Sequence, residues 1–339
     1  MTLATKGHLL PAVSALSAAV FLLGASIEDA EATTLRLATD SGTKGSPAGD
    51  ALETWGQLIE EKSNGEIDVK VYYQNELGGQ QEVFDLLVAG GVDMMLNWPM
   101  TSYDKRIGVI YTPYMTLSWE EAMEAYRPGG WVNELLGDIY ADIGLKFFGP
   151  WPEGFNGVAS RGKYALTVED AGDLAVRTMT VFPAPQTMQA LGYQTAALDW
   201  GEVYTALQTG VVDGEAGNVI YWPYEYFSDL LDYYVHTKHF FMTGILTMNM
   251  GSYESLDEAH QQAVREAAIE VMDQQFVAAR EQDEHYIAKA QEDGMEYFEL
   301  SDERLAEFAR RAREQVWPQM DEELGSEIMD VIRANATSL

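Results

Sequence analysis

The sequence predicts an α/β protein of two lobes, and three observations predict it. Between Leu35 and Leu96, short apolar runs alternate with amphipathic segments across links of a few residues, the pattern of strands joined by crossover helices. The alternation resumes between Leu174 and Val212, beyond a stretch at 151–157 dense in aromatics and glycine. A chain of 339 residues, 47% of them hydrophobic, also fits two lobes better than one core.

Leu35 to Thr39 reads as a strand, and Asp40 to Ser46 as a loop. Ser46-Pro47 starts a helix with proline at its first position. Ala51, Leu52, Trp55, Leu58 and Ile59 carry it to about Ser63, and Asn64-Gly65 stops it. Ile67, Val69 and Val71 alternate as a second strand. A turn at Leu77-Gly78-Gly79 leads into a helix over 80–89, and Val92 to Leu96 forms a third strand. Strand–helix–strand–helix–strand with short links implies a parallel sheet with right-handed crossovers. Ligands of such sheets bind at the carboxyl ends of the strands, here Asp40 and the Asn97-Trp98-Pro99 turn.

Two helices over 119–144 are parted by Pro128-Gly129-Gly130, and Leu145 to Phe148 is a strand. The 151–157 stretch reads as a loop that crosses into the second lobe. That lobe, 151–255, holds a strand around Arg177 and a helix over 184–191. A helix from Glu202 follows, ending at Gly210 and turning into a strand. Strands at 233–236 and 245–250 come after an aromatic segment. From Leu256 to Glu292 a long helix places Val264, Ala268, Val271, Gln275 and Ala279 on one face. Helices over 301–315 and 321–336 follow, separated by Trp317-Pro318. The first lobe is thus 33–150, with C-terminal segments returning to it, and 256–339 forms the long helix and the final helices.

Residues 1–32 have the layout of a secretory signal peptide. Lys6 supplies positive charge, Leu9 to Leu23 the apolar run, and Ala30-Glu31-Ala32 a cleavage site, with Ser26 as the alternative. The run is short for a membrane span of ~20 residues, so the chain is expected in the periplasm without direct membrane insertion. The absence of cysteine excludes disulfides and thiolate metal sites. The net charge of −33 repels nucleic acid and anionic membranes.

No metalloprotease helix, phosphate loop or nucleophile elbow is present. His236 and His239 lack further ligands for zinc, and Asp199 and Glu202 read as helix N-terminal acids. Arg177 is different. It stands inside the apolar run Leu174 to Met179, and a guanidinium cannot shed its proton to ease burial. Either its head reaches solvent or it needs an anion: one of the chain's own acids or a ligand carboxylate, which its planar fork fits bidentately.

The segments Val168-Glu169-Asp170-Ala171-Gly172-Asp173-Leu174-Ala175-Val176-Arg177 and Glu202-Val203-Tyr204-Thr205-Ala206-Leu207-Gln208-Thr209-Gly210-Val211-Val212-Asp213-Gly214 resemble the solute-binding proteins of tripartite ATP-independent periplasmic (TRAP) transporters, DctP type. The similarity covers nearly all of the chain after residue 32. It implies a two-lobed periplasmic-binding-protein-like fold with a long helix bridging both lobes. It also implies a small organic acid as ligand, and the small and large membrane subunits of the transporter as partners. By this resemblance Arg177 anchors the carboxylate, Trp200 packs over it, and Thr180 occupies a ligand-contacting position. Trp98 and Asp40 match positions that face the cleft. Trp151 joins Trp98 and Trp200 as a wall, while Asn97, Asn156 and Asn218 supply orienting hydrogen bonds.

Two departures shape the expected ligand. Where many members carry a second arginine, this chain has Gly157, leaving one strong cation and favouring a monocarboxylate. The branch that binds ligand with a metal has Glu where Ala216 stands, so neither metal nor cofactor is expected. The tryptophans suit an apolar or ring-bearing acid. A secreted two-lobed enzyme and a ligand-sensing component are the alternatives, since fold does not fix function.

Overall fold

A computed structural model describes Met1 and residues 33–339 of the protein. The expected signal peptide lies outside the described residues. The first sheet begins with β1 (Thr33–Thr39), α1 (Pro47–Lys62), β2 (Ile67–Tyr72), α2 (Gln80–Val88) and β3 (Met94–Asn97). Both β2 and β3 pair parallel to β1, as the short links require. Ser46 caps α1 by accepting a hydrogen bond from the Gly49 amide, 3.1 Å away. The helices α3 (Trp119–Tyr126) and α4 (Trp131–Asp142) then lead to β4 (Leu145–Phe155).

The stretch expected to loop at 151–157 is therefore mostly strand. Pro150 and Pro152 have no N–H to give, but β4 is an edge strand, where prolines are tolerated. Opposite β4, Met242 pairs with Gly154 and Thr243 with Pro152, so Glu153 is the extra residue of a bulge. Bulges re-aim side chains, and this one matters below.

The second sheet takes β5 (Val158–Ser160), α5 (Val168–Ala171), β6 (Ala175–Thr178), α6 (Ala184–Ala190), β7 (Gln194–Ala197), α7 (Val203–Thr209), β8 (Gly214–Glu215), α8 (Tyr221–Phe227) and β9 (Tyr233–His236). Gly210 ends α7 at φ 78°, a left-handed conformation that glycine adopts without cost. After β9 the chain returns through β10 (Phe241–Asn249), α9 (Met250–Ser255), α10 (Glu258–Glu292), β11 (Glu296–Glu299), α11 (Asp302–Leu324) and α12 (Ser326–Asn335).

The sheet orders are β2-β1-β3-β10-β4 and β11-β9-β5-β8-β6-β7. Residues 241–249 thus belong to the first sheet, although their place in the chain suggested the second lobe. Antiparallel pairing with both β3 and β4 decides their membership. The chain crosses between sheets three times, through short links at 156–157 and at 237–240 and then along α10 on the way from β10 to β11. Asn156 stitches the two short links together: its amide N–H donates to the Phe240 carbonyl (3.1 Å), and its carbonyl accepts from the Lys238 amide (2.9 Å).

The long helix α10 packs on β4 and α1 on one side and on α8 and β11 on the other, so it bridges both sheets. Val264, Ala268, Val271, Gln275 and Ala279 are all buried along it. The expected break at Pro318 is absent. The helix α11 continues through Pro318 and ends at Gly325. Val316, Trp317 and Met320 are buried there, and the Trp317 indole donates to the Pro113 carbonyl at 3.1 Å. That packing outweighs the backbone bond the proline removes.

Candidate functional site

The first sheet's strand ends and the second sheet's central strands face one cleft, partly open to solvent. Arg177 enters it from β6, which is flanked by β7 and β8. The Ala216 amide donates to the Arg177 carbonyl at 2.9 Å, fixing the strand. The residue is 3% exposed. Its Nε donates to the Leu198 carbonyl at 3.0 Å, and its guanidinium carbon lies 5.8 Å from the Trp200 ring centroid. Among the described residues, no hydrogen bond engages either terminal nitrogen. The nearest acid is Glu215, with Oε2 4.0 Å from Nη1, at the limit of an ion pair.

Glu215 is committed elsewhere. Its Oε2 accepts from the Asn218 side chain at 2.9 Å and from the Gly217 amide at 3.2 Å. Burial pushes its carboxyl up to about 7, against the pull of Arg177 and these two donors. Burial likewise lowers the Arg177 pKa, and Glu215 opposes that only in part. Both shifts run toward the neutral forms, so desolvation outweighs attraction across 4.0 Å. The arginine keeps its proton, and Glu215 is the partner that yields.

The bulge at Glu153 organises the wall. Glu153 accepts from the Trp98 indole at 2.7 Å and from the Trp222 indole at 2.8 Å. Trp98 follows β3 and Trp222 sits in α8, so one carboxyl ties an indole from each sheet's side. Burial pushes Glu153 up to about 7. Edge-to-face contacts run from Trp151 to Trp98 (6.4 Å), Trp98 to Trp222 (5.3 Å) and Trp222 to Trp200 (5.4 Å). Ser41, Gln80 and Tyr111 complete the polar lining. Gln80 donates to the Ser41 hydroxyl (3.0 Å), and Tyr111 donates to the Pro99 carbonyl (3.0 Å).

Of the residues nominated by sequence, Arg177, Thr180, Trp98, Trp200 and Asn218 line this cleft together. Trp151, Asn97, Asn156 and Asp40 do not. Trp151 supports Trp98 from behind. The Asn97 side chain donates to the Trp98 carbonyl at 3.2 Å and accepts from Thr247 at 3.2 Å. Asn156 accepts from the Phe240 amide at 2.8 Å and donates to His239 Nε2 at 2.8 Å, and burial holds His239 neutral by lowering it to about 3. Asn97 and Asn156 thus spend their hydrogen bonds on strand ends and crossings. Asp40 is buried beneath the cleft, and neither carboxyl oxygen has a partner of hydrogen-bond geometry. Burial pushes it up to about 8, offset in part by the backbone amides of Trp98, Asp40 and Ser41.

Glu153 and Glu215 were missed because acids are abundant in this chain and burial is invisible in a single sequence. The position of the absent second arginine is closed here. A Cβ on Gly157 would lie 2.5 Å from the Tyr234 ring and 2.6 Å from the Val235 carbonyl oxygen. Among the described residues, no cluster of three or more His, Cys, Asp or Glu is placed to hold a metal, and no helix is long and apolar enough to cross a membrane.

Two α/β lobes closing a cleft beneath a bridging helix define a solute-binding architecture. The chain belongs to the bacterial extracellular solute-binding proteins, family 7 (DctP), whose model matches residues 39–323. It is 28% identical over 301 residues to the ectoine-binding periplasmic protein TeaA of Halomonas elongata, covering 85% of this chain and 86% of that one. It is 25% identical to the C4-dicarboxylate-binding periplasmic protein DctP of Rhodobacter capsulatus, again over 85% and 86% of the two chains. The solved structure of the ectoine-binding protein from the TeaABC TRAP transporter of H. elongata superposes with a TM-score of 0.80 at 26% identity. It covers 89% of this chain and 98% of that one. The family is one of periplasmic solute-binding proteins of TRAP transporters, binding small organic ligands.

Proposed function

We propose that the cleft captures a small organic acid by its carboxylate on Arg177 and that the protein delivers it to the small and large membrane subunits of a TRAP transporter. The observation that carries this reading is the state of Arg177. It is buried and permanently charged, held by one backbone carbonyl, and at the cleft wall with its terminal nitrogens unengaged among the described residues. A carboxylate accepted bidentately supplies the missing bonds. Relatives named for ectoine and for C4-dicarboxylates support the class.

The single cation favours one carboxylate per ligand. Trp98, Trp200 and Trp222 favour an apolar or ring-bearing body packed against their faces. The Asn218 side chain, which gives one N–H to Glu215, and the Thr180 hydroxyl, which donates to Asp199, both line the cleft and keep hydrogen-bonding capacity to orient it.

A thermal-shift screen of organic acids finds the ligand, and calorimetric titration of Arg177 variants tests the anchor. Losing one partner of a buried charge pair costs about 3–5 kcal/mol. Arg177→Ala is therefore expected to weaken binding by about a hundred- to several-thousand-fold. Arg177→Lys keeps the charge without the fork and falls in between. If Arg177→Ala instead lowers the melting temperature of the ligand-free protein and leaves affinity near native, Glu215 is its true partner and the reading fails.

A further inference from the structure

Glu215 shares the one cation of the cleft with any carboxylate that enters it. Arg177 and Glu215 stand opposite each other where β6 pairs with β8, and both are buried. Their closest approach is the 4.0 Å from Nη1 to Oε2. A Cβ on Gly217 would lie 3.3 Å from Arg177 Nη1 and 3.8 Å from Glu215 Oε2, so a bare glycine backs onto both groups. The other oxygen of Glu215, Oε1, is buried and has no hydrogen-bond partner among the described residues.

With both side chains ionised the pair carries no net charge. A ligand carboxylate on Arg177 changes that sum. Two carboxylates then share one guanidinium, and a buried site is left with a net negative charge. Such an arrangement favours protonation of one of the two acids. The ligand takes the direct bonds to the terminal nitrogens, whereas Glu215 lies further off with an unpartnered oxygen. Glu215 is the group that accepts the proton.

Nothing packed around Glu215 relieves the charge in another way. The facing residues of β5 are Val158, Ala159 and Ser160, none of them ionisable. From β9, the Tyr234 hydroxyl donates to the Asn218 carbonyl at 3.2 Å, and burial keeps it protonated. His239, beside the Ala216 backbone, is held neutral by burial. Asp199 and Tyr111 act on Arg177 and bring no positive charge. Among the described residues, Arg177 is the cation that acts on Glu215.

We propose that Glu215 takes up a proton from solvent as the carboxylate seats on Arg177, so that the site binds its ligand as an anion together with one proton. This rests on the carboxylate reading of the cleft and assigns Glu215 a positioning role in it. The sign of the pH dependence follows. Ligand-free Glu215 ionises as pH rises through about 7, whereas a simple organic acid is ionised from about pH 5 upward. Below about 7 Glu215 already holds its proton and affinity is level. Above that value each binding event must collect a proton, and affinity falls by up to about tenfold per pH unit.

Acetate is the probe, titrated calorimetrically into the protein between about pH 6 and about pH 9 at constant ionic strength. Wild type is expected to bind more weakly as pH rises over the upper part of that range. Glu215→Gln should lose the slope, while Asp40→Asn and Glu153→Gln keep it. A Glu215 that merely props its strand would change affinity equally at every pH. If Glu215→Gln does not fold, proton uptake on mixing with acetate in weakly buffered solution at about pH 8 carries the test, with wild type, Asp40→Asn and Glu153→Gln taking up equal amounts. A level profile or no proton uptake in wild type, a slope kept in Glu215→Gln, or a slope or uptake lost in Asp40→Asn or Glu153→Gln overturns this inference alone. Acetate that fails to saturate wild type, or that saturates Arg177→Ala equally well, overturns the anchor and this inference together.

Discussion

At the scale of single residues, three buried carboxyls around the cleft, those of Asp40, Glu153 and Glu215, are all pushed up by burial. Asp40 shows the consequence most cleanly because neither of its carboxyl oxygens has a partner of hydrogen-bond geometry among the described residues. Its pKa stands near 8 in the fold against an ordinary 3.8. Between those values the native state retains a proton that the unfolded chain has lost, so stability falls as pH rises through that window and levels off above about 8. The slope is about 1.4 kcal/mol per pH unit at its steepest. Asp40→Asn keeps the shape and removes the titration. The variant is expected to gain on wild type as pH rises from about 5 to about 8, measured by denaturant unfolding at several pH values. Parallel pH profiles for the two proteins count against a neutral Asp40. Arg177 was legible in the sequence because a cation inside an apolar run must reach either solvent or an anion wherever the strand ends up. Asp40 was legible only as a strand end, and its burial under the cleft depends on the Trp98 and Ser41 segments closing over it.

At the scale of elements, local periodicity carried most of the first sheet. The helices α1 and α2 and the long α10 follow from apolar spacing and from Ser46, Gly65 and Gly79 at their ends. The misses share one cause, which is that pairing is not local. The strand β10 joins the first sheet because a slot between β3 and β4 is open to it, and nothing within 241–249 reports that slot. The strand β4 tolerates its prolines because it is an edge. The bulge that turns Glu153 toward two indoles exists only in the register with β10. Gly157 is the element-scale position with a direct test. It follows β4 where the chain crosses between sheets, and its hydrogen in place of a side chain lets Tyr234 pack close. Gly157→Ala forces the Tyr234 ring and the β9 backbone apart and is expected to cost about 1–3 kcal/mol. An unchanged unfolding midpoint for this variant would show that the crossing has more slack than the contact distances allow.

At the scale of the whole molecule, two sheets joined by two adjacent crossings and one bridging helix are the arrangement from which a hinge is expected. Asn156 binds the crossings to each other, so the lobes are expected to swing about that line. Small-angle scattering should give a smaller radius of gyration at saturating ligand than without it, and an equal radius argues against a clamp. The carboxyl of Glu153 stands across this swing with one indole from each side. Any relative motion of the lobes must stretch or turn at least one of its two hydrogen bonds, and an indole's emission responds to what its N–H meets. The molecule therefore carries its own optical gauge. Ligand titration should change tryptophan fluorescence in wild type, and Glu153→Gln, which alters the bridge without emptying it, should shift the starting signal and shrink the change. A position read in nanometres of emission wavelength would then follow, in a single cuvette and without a label, how far the jaws have moved.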